Sequence, residues 1–306
     1  MTPRFFSGRE SWLFRARAPE ELCGHHADLI GQLLAPDEHV EYLLYSPLRE
    51  ASGAPFGVRN GSGSHAVAVT RDRIIISRDS HRLRQSPTVC QIPFANILVV
   101  ELGEALTLGW LVVRFVAQDR VADESIFFQS SGIDHFRAAV RAWRRNVAPT
   151  TAPDPPAETW RQIWTHTPSY LRSQLAPVLV EDDGPHGALQ VGEIWSSVAG
   201  RRRPVCLSGA GLFIVTNHDV LLAQSERPHR PGALVFAVNV SCFDRRIIRD
   251  VIILRRASQP DPVMDLVLDI KVGSLRHQVT MSLGCPAAAD LDALLAELRR
   301  AATLSC

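Results

Sequence analysis

A proline run at the middle of this chain sets the first limit on its fold. Asn146-Val-Ala-Pro149-Thr-Thr-Ala-Pro153-Asp-Pro155-Pro156 places four prolines within eight residues. Proline fixes φ and lacks an amide donor, so the stretch suits neither a helix interior nor a central strand. An extended, semi-rigid spacer is expected. It lies near the midpoint of 306 residues, a length that suits about two domains, each with its own core. The expected division is an N-terminal aromatic and arginine-rich segment over 1–27 and a first domain over 28–146. A linker follows over 147–158, and a second domain over 159–306.

The two halves present the same signals in the same order. A short helical stretch ends in Leu-Ala-Pro at Leu34-Ala35-Pro36 and again at Leu175-Ala176-Pro177. A strand is expected from Val40 to Tyr45, with Glu193 to Ser197 as its counterpart. The closest match follows, Val67-Ala-Val69-Thr70-Arg71-Asp72-Arg73-Ile74 against Phe213-Ile-Val215-Thr216-Asn217-His218-Asp219-Val220. Two apolar runs about a threonine and a polar triplet predict a tight hairpin in each half. Ile92 to Ile97 and Phe236 to Val240 form a weaker pair. Further strands are expected over Leu106–Ala117, Ser125–Phe128, Val251–Leu254, Leu266–Ile270 and Leu275–Leu283. In the last of these, His277 lies on the apolar face and reads as a half-buried structural histidine.

A 3.6-residue period then closes both halves. Ile133, Phe136, Val140 and Trp143 make one stripe, with Arg137, Arg141 and Arg144 expected to face outward. Leu291, Leu294, Leu295 and Leu298 make the second. Ser131-Gly-Ile-Asp134 has capping-box spacing ahead of the first helix. Each half therefore reads as six or seven strands closed by one amphipathic helix, a mainly β (α+β) chain.

The order of Leu-Ala-Pro-Asp37-Glu38, Val69-Thr70-Arg71-Asp72-Arg73-Ile74, Ile92-Pro93-Phe94, Ile126-Phe127-Phe128 and a final helix resembles a bacterial pleckstrin-homology-like (PH-like) domain. GRAM-type domains are similar in the same way. The likeness covers roughly residues 28–145, with the second half a divergent copy. It implies two bent antiparallel barrels or sandwiches, each closed by its C-terminal helix. It also implies a binding or scaffold module rather than an enzyme, with a protein partner ahead of an anionic lipid headgroup. Homo-oligomers also fit such modules.

Candidate sites follow from charge and aromatics. Lys+Arg 33 against Asp+Glu 32 argues against a nucleic-acid binder. Lys271 is the one lysine, so the cationic candidates are arginines. Arg201, Arg202 and Arg203 in the second half, and Arg71, Arg73, Arg78, Arg82 and Arg84 in the first, offer forked donors to an anion. A peripheral membrane adaptor using these loops is the alternative reading. Phe5, Phe6, Trp12 and Phe14, interleaved with arginine, suit contact with a partner or a membrane interface. Histidine and cysteine spacing matches no metal motif, so neither metal nor cofactor is expected. Gly61-Ser62-Gly63-Ser64 and Ser208-Gly209-Ala210-Gly211 lack the Gly-x-Ser-x-Gly elbow and read as flexible approaches to strands. An enzyme with an unfamiliar site is the third reading. Met1 to Phe6 has no apolar run behind its charge, and the cytoplasm is the expected compartment.

Overall fold

Neither hairpin turn contains glycine, and in both a threonine hydroxyl helps to order the turn. In a computed structural model, Thr70 Oγ1 donates to Asp72 Oδ1 at 3.1 Å. Thr216 Oγ1 donates to Asp219 Oδ1 at 2.8 Å and accepts from the Asp219 amide at 3.1 Å. Such side-chain bonds stand in for the special backbone that glycine supplies elsewhere. The structure describes residues 12–47, 63–79, 86–147, 157–180, 185, 187–196, 204–216, 219–228, 230–231, 233, 235–256, 263–283 and 288–303.

The first half runs β1 (Phe14–Ala16), α1 (His26–Gly31), β2 (Val40–Ser46), β3 (Ser64–Thr70), β4 (Arg73–Asp79) and β5 (Thr88–Pro93). It continues through β6 (Ile97–Ala105), β7 (Leu108–Ala117), β8 (Arg120–Gln129) and α2 (Ile133–Asn146). The second half opens with α3 (Ala157–His166), α4 (Ser169–Leu175), β9 (Gly187–Val191), β10 (Ile194–Ser196) and β11 (Val205–Ser208). Then come β12 (Gly211–Val215), β13 (Asp219–Ser225), β14 (Ala237–Asp244), β15 (Ile248–Arg256), β16 (Val263–Val272), β17 (Leu275–Leu283) and α5 (Ala288–Thr303). The chain is mainly β, and every strand pairing is antiparallel. No sheet closes into a barrel among the described residues.

The principal departure from the sequence reading is at the junction of the halves. A spacer between two separate cores is expected, yet β6 pairs with β14 from Ala105↔Ala237 to Val100↔Cys242. One seven-stranded sheet results, in the order β8-β7-β6-β14-β13-β12-β9. Its inner face packs on α2, α4 and the five-stranded sheet β1–β5, through residues such as Val113, Phe136, Trp143, Leu171, Leu221 and Val240. One end of its outer face is covered by the three-stranded sheet β15–β17 and by α5, where Phe213, Leu222 and Phe243 meet Leu266, Leu294 and Leu298. Both helix stripes are buried as expected. At about 1.5–3 kcal/mol for each large apolar side chain, burial of the four α5 leucines is a main contribution to holding that end closed.

Other differences have local causes. In the second half the strand that pairs with β12, as β2 pairs with β3, is Gly187–Val191 rather than the expected Glu193–Ser197. Ile194–Ser196 instead forms a separate ribbon with Val205–Ser208. The stretch Ile92–Ile97 is broken by a 3-10 turn at Phe94–Asn96, and its structural counterpart is the turn at Arg245–Ile247. Leu98–Ala105 belongs to a strand that the sequence reading passes over. The capping box is absent: Ser130–Gly132 form a 3-10 turn, Gly132 precedes α2, and no side chain caps it. Arg144 does not face outward but is fully buried, and the Arg137 side chain, expected outward too, is only 11% exposed and bonds Gln174.

Candidate functional site

Strand register lays out the candidate site. Across the outer face of the shared sheet, Phe127 stands opposite Trp110, Trp110 opposite Gly103, Gly103 opposite Asn239, and Asn239 opposite Gln224. This row crosses the β6–β14 junction, so both halves build it. Gly103 lies at its middle, and a Cβ there would fall 2.0 Å from Trp110 Cζ2. The missing side chain lets the indole lie down on the sheet and leaves a trough beside it.

The next row repeats the crossing with Val112 opposite Glu101 and Glu101 opposite Ser241. Further along this row Leu222 and Phe213 pass under the β15–β17 layer. The uncovered end forms a groove of about 600 Å³, within the usual span of about 300–1,000 Å³ for ligand sites. Leu108, Trp110, Val112 and Phe127 make one wall, and Gln224, Ser225, Glu226, Arg227 and Asn239 much of the other.

The polar groups are few and placed. Trp110 Nε1 donates to Glu101 Oε1 at 3.2 Å, which fixes the indole plane. Glu226 Oε1 accepts from the Phe236 amide at 2.7 Å. Gln224 Nε2 donates to Ser208 Oγ at 2.8 Å. The side-chain amide of Asn239 makes no hydrogen bond among the described residues. Glu101 and Glu226 are half-buried, whereas Arg227 is exposed at the rim.

Two exposed apolar residues flank the strand ends that carry the groove lining. Leu106 is 69% exposed and Phe236 50%, and the Leu106 amide donates to the Phe236 carbonyl at 3.3 Å. Leu106 has φ of 51°, a left-handed conformation that costs a leucine about 1–2 kcal/mol. A bulky apolar side chain is thus held in a costly backbone state and turned toward water beside the groove.

A second polar cluster lies in the first half. His26 Nδ1 is 2.7 Å from Ser77 Oγ, and Nε2 is 3.0 Å from Ser64 Oγ. Burial pushes His26 down to about 4 against the opposing pull of Asp79. His65 is buried beside it, and burial with the Arg78 charge pushes it down to about 3. Both rings are neutral at ordinary pH. The His26 bonds fasten α1 to β3 and β4, with Ser64 opening β3 as the approach to that strand.

The arginine and aromatic candidates divide differently. Arg201, Arg202, Arg203, Arg82, Arg84, Phe5 and Phe6 lie outside the described residues. Arg71 is exposed at its hairpin turn. Arg73 is engaged by Glu38 at 2.5 Å, the Leu33 carbonyl at 3.0 Å and Gln91 at 2.7 Å. Arg78 sits at the far end of β4, about 17 Å away by strand rise and on the opposite face by strand parity. The described arginines of that group are therefore not brought together. Phe14 packs on Tyr45 with ring centroids 5.3 Å apart, while Trp12 is 71% exposed.

Trp110, Gly103 and Glu101 were not singled out by sequence reasoning. A usable signal exists in β7. Gly109, Leu111, Val113 and Phe115 are buried on one face, yet Leu108, Trp110, Val112 and Val116 make the other face largely apolar too, with Arg114 its one charged residue. A strand apolar on both faces either is covered twice or lines a site. Compared with known proteins, the chain matches no protein-family model and no curated protein.

Proposed function

We propose that the chain is a non-catalytic binding protein of two fused PH-like modules, and that it captures a segment of a protein partner in the junction groove. The modular reading is supported by the repeated order of four strands, three strands and a helix: β2–β5, β6–β8 and α2, then β9 with β12–β14, β15–β17 and α5. The observation that carries the binding reading is the row Phe127–Trp110–Gly103–Asn239–Gln224 across the β6–β14 junction. It combines an aromatic wall with a side-chain amide that has no partner among the described residues, and exposed Leu106 and Phe236 lie at the adjoining strand ends. Aromatic residues in a concave, partly desolvated site are the usual anchors of protein recognition. With the halves joined in one sheet, the modules act as a single rigid body rather than as two tethered hooks.

Site-specific photocrosslinking tests this. A benzophenone amino acid at Leu108, on the groove wall, is expected to give a discrete protein adduct in the source cells. The same group at the exposed Leu254 of β15 is expected to give none. The adduct should disappear when Trp110→Ala is added, with the thermal transition of that variant retained. Adducts that are equal at both positions, or that survive Trp110→Ala, would overturn the reading.

A further inference from the structure

The groove is charged asymmetrically. Its carboxylates, Glu101 and Glu226, are half-buried, while the guanidinium of Arg227 sits exposed at the rim, where water screens it. Neither carboxylate forms an ion pair among the described residues. Glu101 spends one oxygen on the Trp110 indole and has no further partner among the described residues. A partly desolvated carboxylate without a counter-ion is unfavourable, and an arriving cation relieves it.

Trp110 adds a second attraction at the same place. The Gly103 backbone supports the ring from the sheet side, the Glu101 bond holds its plane, and the ring lines the groove. An indole face beside a carboxylate attracts a cation through its quadrupole and through charge together. Leu108, Val112 and Phe127 surround this corner with apolar surface. A free inorganic cation would gain little from such walls, whereas the alkyl stem of a long basic side chain would pack along them.

We propose, on the reading of the preceding section, that the Glu101–Trp110 corner takes an arginine or lysine side chain carried by an apolar segment of the partner. The cation lies against the indole and accepts no competing contact from Arg227, which stays at the rim. The flanking apolar residues of the segment cover Leu108, Val112 and Phe127, and Asn239 is left to bond the segment's backbone.

Panning a phage-displayed library of random twelve-residue peptides against the full-length protein tests the assignment. The expected consensus has one arginine or lysine flanked by apolar residues. A synthetic consensus peptide should bind at least ten-fold more weakly when citrulline replaces arginine. Glu101→Gln should weaken the arginine peptide but leave the citrulline peptide nearly unchanged, a coupling that loss of fold cannot imitate. A consensus that is lost with Trp110→Ala but carries no basic residue, or an acidic one, would overturn the cation assignment while leaving the groove as the binding site. No enrichment over a control protein, or enrichment indifferent to Trp110→Ala, would overturn both.

Discussion

Arg144, in the last turn of α2, forms a two-pronged ion pair with Asp219 at the start of β13, with Nε to Oδ2 at 2.6 Å and Nη2 to Oδ1 at 2.8 Å. The side chains are 0% and 1% exposed. A third bond runs from Nη1 to the Val178 carbonyl at 2.5 Å. Two residues on, Asn146 Nδ2 donates to the Thr70 carbonyl at 3.2 Å. One helix end thus holds the equivalent hairpin turns of both halves.

Removing either member leaves the other charged and buried, which costs about 3–5 kcal/mol. Arg144→Met and Asp219→Leu are each expected to lower the urea midpoint by a corresponding amount. The double variant Arg144→Met/Asp219→Leu should recover most of the loss, because no charge is then stranded. Equilibrium denaturation of the three variants measures this, and additive single and double effects would deny the coupling.

Acid should loosen the first half before its carboxylates titrate. His26 and His65 lie at about 4 and about 3 when folded, against 6.5 when unfolded. Below 6.5 the unfolded chain binds protons that the folded chain refuses, so stability falls as pH falls. The slope approaches about 1.4 kcal/mol per pH unit for each histidine. Thermal melts between pH 7 and pH 5 should show this slope in the wild type and a shallower one in His26→Asn/His65→Asn. Identical slopes would contradict the assignment.

Gly103→Ala probes the indole seat. The new methyl would meet Trp110 Cζ2 at 2.0 Å, so the ring must lift or the sheet must shift. Overpacking of this kind costs about 1–3 kcal/mol. The variant should fold, with a lower transition temperature and altered tryptophan fluorescence, and should bind the consensus peptide more weakly. Unchanged fluorescence and binding would mean that the ring does not rest on Gly103.

Local patterns were legible in the sequence wherever burial follows a simple period. The paired hairpins about Thr70 and Thr216 and the stripes of α2 and α5 were found because alternation and the 3.6 period report which face is buried. The junction was not legible, because nothing within Leu98–Ala105 or Ala237–Asp244 encodes that the two will pair with each other. Arg144 was misread for a related reason. An arginine beside an apolar stripe looks solvated until the partner Asp219, 75 positions away, is in place. The groove was missed because its parts are spread over β6, β7, β8, β13 and β14 and meet only through register.

The most direct test follows the indole N–H of Trp110 by ¹⁵N-resolved NMR while the consensus peptide is titrated into the full-length protein. The chain has six tryptophans, so the resonance is assigned by its loss in Trp110→Phe. The account predicts that this signal shifts to saturation with the peptide while that of Trp143, buried on the core-facing side of α2, holds still. Peptide binding with the Trp110 signal unmoved would contradict it.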